Sequence, residues 1–413
     1  MEEHPQARIV IETLHKAGFV AYYAGGWVRD FLLNHPSDDI DIATSAPPEA
    51  IQKLFPHTVP IGIAFGILLV IIDGHQYEVA TFRQDLDYQD GRRPGRVEFT
   101  TAKEDAERRD FTINGMFYDP LREEILDYVN GRADLEKGII RAIGNPHERI
   151  KEDRLRMIRG IRLACRFGFH IEEKTSAAIR AHAKELFPAV AIERIVQELA
   201  KGHAFGSLRE MLLLLHDFGL LAAIFPDLHV SPSDLAHRLE PMARYPKRAP
   251  LIAFLLLLFP KLDLEQEQSL CKRLKLSNHD LQFTTFLYRT KELIAAELEK
   301  ARPIENVEWA YFYANAFSPL ALQIISAHLS VDLAKFFLED HERRMHQLKR
   351  AIDSVHRHDP IVKSKDLLQL GIQPGKLMGK LLQEAERIAF NEELYDPAPI
   401  IDRLRKLPIW PHA

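Results

Sequence analysis

In the first third of the chain, short runs rich in β-branched and aromatic residues alternate with polar, turn-forming borders, a pattern that predicts strands. The runs fall at residues 19–23, 40–44, 66–72, 76–82 and 124–128, with a helix-like stretch over 27–33. Asp73-Gly74 separates two of the runs, and that dipeptide favours a tight antiparallel hairpin, so Glu78 is expected on a strand beside a second one. Across 83–109 the periodicity is lost and Asp, Gly, Arg and Pro accumulate, notably in Asp90-Gly91-Arg92-Arg93-Pro94. That stretch is predicted to be a mobile loop. From about Asn145 onward the spacing changes to three and four residues, through 152–167, 174–186 and 193–200, and predicts helices. Prolines at Phe225-Pro226, Ser231-Pro232, Tyr245-Pro246 and Phe259-Pro260 divide the C-terminal half into many helices without one clean linker. The expected fold class is therefore α+β, a mixed-sheet domain over 1–143 followed by an all-α remainder.

Composition narrows this picture. The chain's 413 residues, 46% apolar and 27% charged, suit a soluble globular protein of two or more domains. A net charge of −5 argues against a nucleic-acid partner only as an average over all faces, so local clustering has to decide. Two cysteines exclude a disulfide framework and a four-cysteine zinc site, and a reducing compartment, the cytoplasm, is the simplest expectation. The N-terminus lacks signal-peptide character and the longest apolar run, 251–259, is too short to span a bilayer, so no membrane partner is expected. No feature fixes an oligomeric state.

Several local constellations carry chemistry. Asp39-Ile40-Asp41 lies on a strand pattern, where side chains at i and i+2 share a face, so both acids can hold one divalent metal ion. A solvated strand edge is the alternative. Glu78 offers a third oxygen donor, and an all-oxygen set suits Mg²⁺, which also draws ligands from water and substrate phosphates. Gly25-Gly26 precedes the 27–33 helix and either forms a plain turn or presents backbone amides to a phosphate. Arg108-Arg109-Asp110-Phe111-Thr112-Ile113-Asn114 opens a helical pattern in which paired guanidiniums can bind triphosphate oxygens and Asp110 and Asn114, four apart, can bond a ribose. The same string also reads as a capped surface helix. In the basic stretch 152–166, Asp153 and Arg156 fall about 60° apart on a helix and can together read a base edge, while Arg159, Arg162 and Arg166 are left for phosphates or internal ion pairs.

Taken in order, Gly25-Gly26-x-Val28-Arg29-Asp30, Asp39-x-Asp41, Glu78, the Arg108–Asn114 string, Glu152-Asp153-x-x-Arg156 and Ala191-Ile192-Glu193-Arg194-Ile195 resemble the bacterial class II tRNA nucleotidyltransferase and poly(A) polymerase family. The resemblance implies a nucleotidyltransferase-type head using Mg²⁺, a helical neck that selects the nucleotide, and a body and tail that grip RNA. It implies that Asp39 and Asp41 are metal ligands and that Glu78 is the third catalytic carboxylate. Gly25, Gly26, Arg29, Arg109, Asp110, Asn114, Asp153, Arg156, Arg159 and Arg162 would bind nucleotide, with Asp153 and Arg156 as the protein template for CTP and ATP. Asp90, Gly91, Arg92 and Arg93 would form the flexible loop. The implied partner is the 3′ end of the tRNA acceptor arm. Residues 63–67, Ile-Ala-Phe-Gly-Ile, lack the arginine-rich run common in family poly(A) polymerases, which favours the tRNA enzyme, and Asp90 to Pro94 keep the character of the loop that CC-only relatives tend to lack, so complete CCA addition is expected, with A-only addition and polyadenylation as alternatives.

Overall fold

A computed structural model describes residues 4–35, 37, 39–86, 96–300 and 302–411. Asp90, Gly91, Arg92 and Arg93, expected as the flexible loop, and Asp38 lie outside the described residues. Contacts divide the chain into two compact units, Met1–Ala236 and His237–Ala413.

The first unit opens with α1 (Pro5–Lys16), β1 (Ala21–Ala24), α2 (Gly26–Leu32), β2 (Asp41–Thr44) and α3 (Pro48–Leu54). β3 (Thr58–Gly62), β4 (Ile67–Ile72), β5 (His75–Thr81), β6 (Arg83–Leu86) and β7 (Arg96–Phe99) come next. After α4 (Ala102–Glu107) come β8 (Phe117–Asp119) and β9 (Glu124–Leu126). Among the described residues seven of these strands form one sheet in the order β3-β4-β5-β2-β1-β8-β9. β2 and β5 pair in parallel and the other neighbours antiparallel, which makes the sheet mixed.

Strand alternation assigns the two faces. Ile42, Leu68, Val70 and Val79 are buried with Ala7, Val10, Ile11 and Leu14 of α1, whose i, i+3, i+4, i+7 spacing puts them on one helix face. Ala24, Ala43 and Phe82 face the other way and pack with Ala106 and Phe117. Asp41 and Ala43, two apart, share that second face, which is where the sheet carries its acids.

Residues 83–109 are not one loop. β6 and β7 pair as a two-stranded antiparallel ribbon, with Arg83 opposite Phe99, and α4 succeeds it, closed by a capping box between Thr101 and Glu104. A ribbon carrying polar residues on both faces leaves no alternation to read, and a six-residue helix is too short for a periodic signal. β3 and β8 likewise have no counterpart among the expected strands.

After α5 (Gly131–Glu136) the first unit continues mainly in helices, with α6 (Pro146–Glu152), α7 (Leu155–Phe167), α8 (Glu173–His182) and α9 (Ile192–Ala204). The stretch 152–167 is thus not one helix, because the chain breaks at Asp153, which has extended backbone at φ −146°. The second unit is helical throughout its described residues, with apolar cores around Phe390 and Leu381 and around Trp309 and Phe312. No helix among the described residues is long and apolar enough to cross a membrane.

Candidate active site

The parallel pairing of β2 with β5 sets Asp41 directly opposite Glu78. Asp39 enters from the two residues preceding β2, and all three acids are exposed residues. Partial burial of the Asp41 carboxylate, reinforced by the negative charges of Asp39 and Glu78, pushes its pKa up to about 6, and Arg109 alone pulls the other way. The cluster therefore carries more negative charge than its surroundings offset.

Gly25 brings the backbone to this cluster. Its φ of +67° lies where side chains are disfavoured, and a Cβ there would stand 3.0 Å from Arg109 Nη1 and 3.8 Å from Asp41 Oδ2. Its amide is already taken, donating to the Met116 carbonyl at 3.3 Å, so this particular N–H does not face a phosphate.

The expected sharing of one coordination sphere by three carboxylates is not what forms. Among the described residues no three His, Cys, Asp or Glu side chains gather closely enough to hold an ion by themselves. Glu78 belongs to the neighbouring strand, which leaves Asp39 and Asp41 as the two acids at this edge of β2 that could hold an ion together with water and substrate. That incomplete, all-oxygen donor set in a region of surplus negative charge suits a hard divalent cation that retains some of its waters.

Arg109 is fixed beside the acids. Its Nε and Nη2 donate to Asp105 Oδ2 at 3.2 and 3.0 Å, and its guanidinium lies 4.9 Å from the Phe117 ring centroid. Asp105, buried, also accepts from Arg108 Nη2 at 2.7 Å and from the Arg83 amide at 3.2 Å. Sequence reading passed over Asp105, although an acid three and four residues before two arginines on a short helix is a spacing that announces such pairs.

Several expected nucleotide contacts sit instead within one internal network. Asp30 accepts from Arg166 at 3.2 Å and from Arg29 Nη2 at 2.8 Å. Arg29 Nη1 donates to Asn114 Oδ1, and Asn114 Nδ2 donates to Asp110 Oδ1 at 3.2 Å. Asp110 accepts from Arg159 Nε at 2.8 Å, while Arg159 and Arg162 both pair with buried Glu198, Arg162 at 2.5 Å. Burial opposes the charge on Asp110, yet Arg159 and Arg156 outweigh it and hold its carboxyl far below the usual range. Burial lowers the pKa of Arg29 despite its bonds to Asp30. Asp110 and Asn114 do not share a helix face; only Thr112–Asn114 forms a single 3-10 turn, after Phe111 bridges to Ala142 in an extended pairing. Glu198 is the member of this network that sequence reading missed.

The supposed template pair is also arranged differently. Because Asp153 lies at the break between α6 and α7, the angular argument that placed it beside Arg156 on one helix does not apply. Its carboxylate takes a two-pronged contact from Arg194, at 3.1 and 2.8 Å, and caps the Leu155 amide at 3.1 Å. Arg156 donates to Glu152 at 2.5 Å and to the Arg149 carbonyl at 2.7 Å. Arg194 belongs to the Ala191–Ile195 string, and only the tertiary fold brings it to Asp153.

An acidic strand pair beside a glycine turn and a clamped arginine, on a mixed sheet backed by helices, defines a nucleotidyl-transferring type of head. The family model described as Poly A polymerase head domain matches residues 21–141, that described as probable RNA and SrmB-binding site of polymerase A matches 168–231, and that described as tRNA nucleotidyltransferase domain 2 matches 245–401. The chain is 37% identical over 399 residues to the CCA-adding enzyme of Enterococcus faecalis, covering 93% of this chain and 91% of that one. It is 36% identical over 413 residues to that of Streptococcus mutans, covering 98% and 97%. The crystal structure of the Bacillus stearothermophilus CCA-adding enzyme in complex with CTP superposes with a TM-score of 0.77 at 28% identity, covering 97% of each chain. The chain belongs to the class II CCA-adding enzyme and poly(A) polymerase family. Nucleotidyltransferases of this family use a divalent metal ion.

Proposed function

We propose that this protein is a template-independent CTP/ATP:tRNA nucleotidyltransferase that adds or repairs the 3′-terminal CCA of tRNA and releases pyrophosphate. The observation that carries the reading is the register of Asp41 with Glu78 on parallel strands, with Arg109 and the side-chain-free Gly25 at their edge. CCA addition is favoured over polyadenylation by the names of the full-length relatives and by the absence of a basic run after Gly62.

In this reading Asp39 and Asp41 would hold the ion, taken to be Mg²⁺, and the chemistry it would supply is activation of the RNA 3′-hydroxyl and compensation of charge at the α-phosphate. Glu78 orients the attacking hydroxyl from the neighbouring strand. Arg109 presents its outer edge to the triphosphate, where pre-set donors stabilise charge developing on the leaving pyrophosphate. Arg29, Asp110, Asn114, Arg159 and Arg162 act as a body beneath the nucleotide, holding neck to head and lending the ribose whichever polar edges remain. Asp153 and Arg156 read the base, which takes them over from Arg194 and Glu152; a carboxylate acceptor and a guanidinium donor complement an amino group and a ring acceptor, which both cytosine and adenine present. Asp90, Gly91, Arg92 and Arg93 serve as the flexible loop. The working division is head 1–143, neck 144–205, and RNA-gripping body and tail 206–413, and the working compartment is the cytoplasm.

The test supplies purified protein, Mg²⁺, one labelled nucleotide at a time, and tRNA transcripts ending before CCA, at CC or at CCA. The expected outcome is two C additions, one A addition and a stop. Continued A incorporation beyond CCA would establish a poly(A) polymerase instead, and A addition confined to transcripts ending in CC an A-only enzyme.

A further inference from the structure

We infer that Asp105 is a positioning residue for nucleotide binding, fixing the Arg109 guanidinium so that one edge stays presented beside Asp41 and Gly25. The inference rests on the proposed assignment of Arg109 to the triphosphate.

A guanidinium on an arginine stem is free to swing, and the acids Asp39, Asp41 and Glu78 would draw it toward them. Arg109 and Asp41 meet at the Gly25 turn, where the place of a Gly25 Cβ lies 3.0 Å from Arg109 Nη1 and 3.8 Å from Asp41 Oδ2. Asp105 restrains the guanidinium. One carboxylate oxygen takes both hydrogens of the Nε/Nη2 edge, at 3.2 and 3.0 Å, and the Phe117 ring bounds the guanidinium at 4.9 Å. What remains is Nη1, directed toward the Asn114 carbonyl at 3.4 Å and standing 3.0 Å from the place a Cβ on Gly25 would fill.

Asp105 is itself buried, with its side chain 2% exposed. Its second oxygen is held by Arg108 Nε at 3.0 Å, Arg108 Nη2 at 2.7 Å and the Arg83 amide at 3.2 Å. A charged acceptor satisfied on both oxygens makes a rigid mount for an arginine. Without it, Coulomb attraction would draw Arg109 onto Asp41, neutralising the acids and withdrawing the phosphate donor at once.

The test is a double-mutant cycle of Asp105→Asn with Arg109→Ala, reading equilibrium binding of CTP and ATP without RNA, KM for nucleotide and for tRNA, and thermal unfolding. Asp105→Asn should weaken nucleotide binding roughly 10- to 100-fold, the range set by losing hydrogen bonds to a charged group, while KM for tRNA holds. In the Arg109→Ala background the same change should add less than about twofold, because the residue it acts through is gone. An undiminished loss in that background overturns the inference alone and makes Asp105 merely structural. Arg109→Ala binding CTP like the unmodified protein overturns the triphosphate assignment, and this inference with it. If Asp105→Asn does not fold, Asp105→Glu keeps the charge but moves the carboxylate by one methylene. A several-fold weakening that disappears with Arg109→Ala supports the inference, and unchanged nucleotide affinity overturns it.

Discussion

Replacing Asp110 by Asn tests whether the head and neck are joined by a buried charge network or merely touch. Asp110 is 9% exposed and accepts from Arg159 at 2.8 Å, from Asn114 at 3.2 Å and from the Phe111 amide at 2.8 Å. Asn keeps the size and one acceptor, but turns an NH₂ toward a guanidinium and leaves Arg159 without its principal counter-charge. Breaking a fully buried pair costs about 3–5 kcal/mol. The Arg159 side chain is 34% exposed and retains a longer contact to Glu198, so solvent screening reduces the expected loss to about 2–3 kcal/mol. For a unit that ends at Ala236, this corresponds to a melting temperature lower by about 4–12 °C. The pH dependence has a definite sign. The carboxyl's pKa is depressed in the folded state, so its stabilisation is complete above the unfolded value of about 3.9 and fades as pH falls toward the folded one. The gap between variant and parent should therefore be full at pH 7 and shrink progressively at pH values below about 4. Thermal unfolding followed by circular dichroism at several pH values measures this. A melting temperature at pH 7 within about 1 °C of the parent, on the same conversion, would refute the network argument. If nucleotide binding vanished as well, Asp110 would belong to the ribose contact alone.

Asp39→Ala or Asp41→Ala should abolish nucleotide incorporation while filter-binding affinity for tRNA persists; near-normal turnover in either variant removes them from the metal site. Asp41, with its pKa raised to about 6, carries the opposite sign from Asp110. Without metal its ionisation costs stability as pH rises from about 4 through 6, and a bound divalent ion reverses this by requiring the ionised form. Magnesium should therefore raise the melting temperature more at pH 8 than at pH 5, and an equal rise at both would contradict the assignment. Substituting Asp153 and Arg156 by Ala should blur the choice among the four nucleotides before it stops chemistry, measured as relative kcat/KM for each nucleotide; intact selectivity would place base reading elsewhere.

Strand periodicity and the Asp73-Gly74 hairpin signal were enough to predict β4 and β5 and to put Glu78 on a strand, because those features depend on side chains a few residues apart. Of Asp39-x-Asp41, expected together on one strand, only Asp41 lies in β2, and Asp39 precedes it. That Glu78 stands opposite Asp41 comes from a parallel pairing between segments separated by two further strands, a register no local pattern encodes. The helical remainder was likewise readable, but the break at Asp153 was not: an acid with extended backbone between two helices leaves the surrounding apolar spacing nearly intact. Charge proved the least legible quantity. Sequence exposes which arginines exist, and it left Arg159, Arg162 and Arg166 open between phosphates and internal pairs. Only the tertiary structure decided that they meet Asp110, Glu198 and Asp30, since the worth of a charge depends on burial and on partners brought from distant parts of the chain.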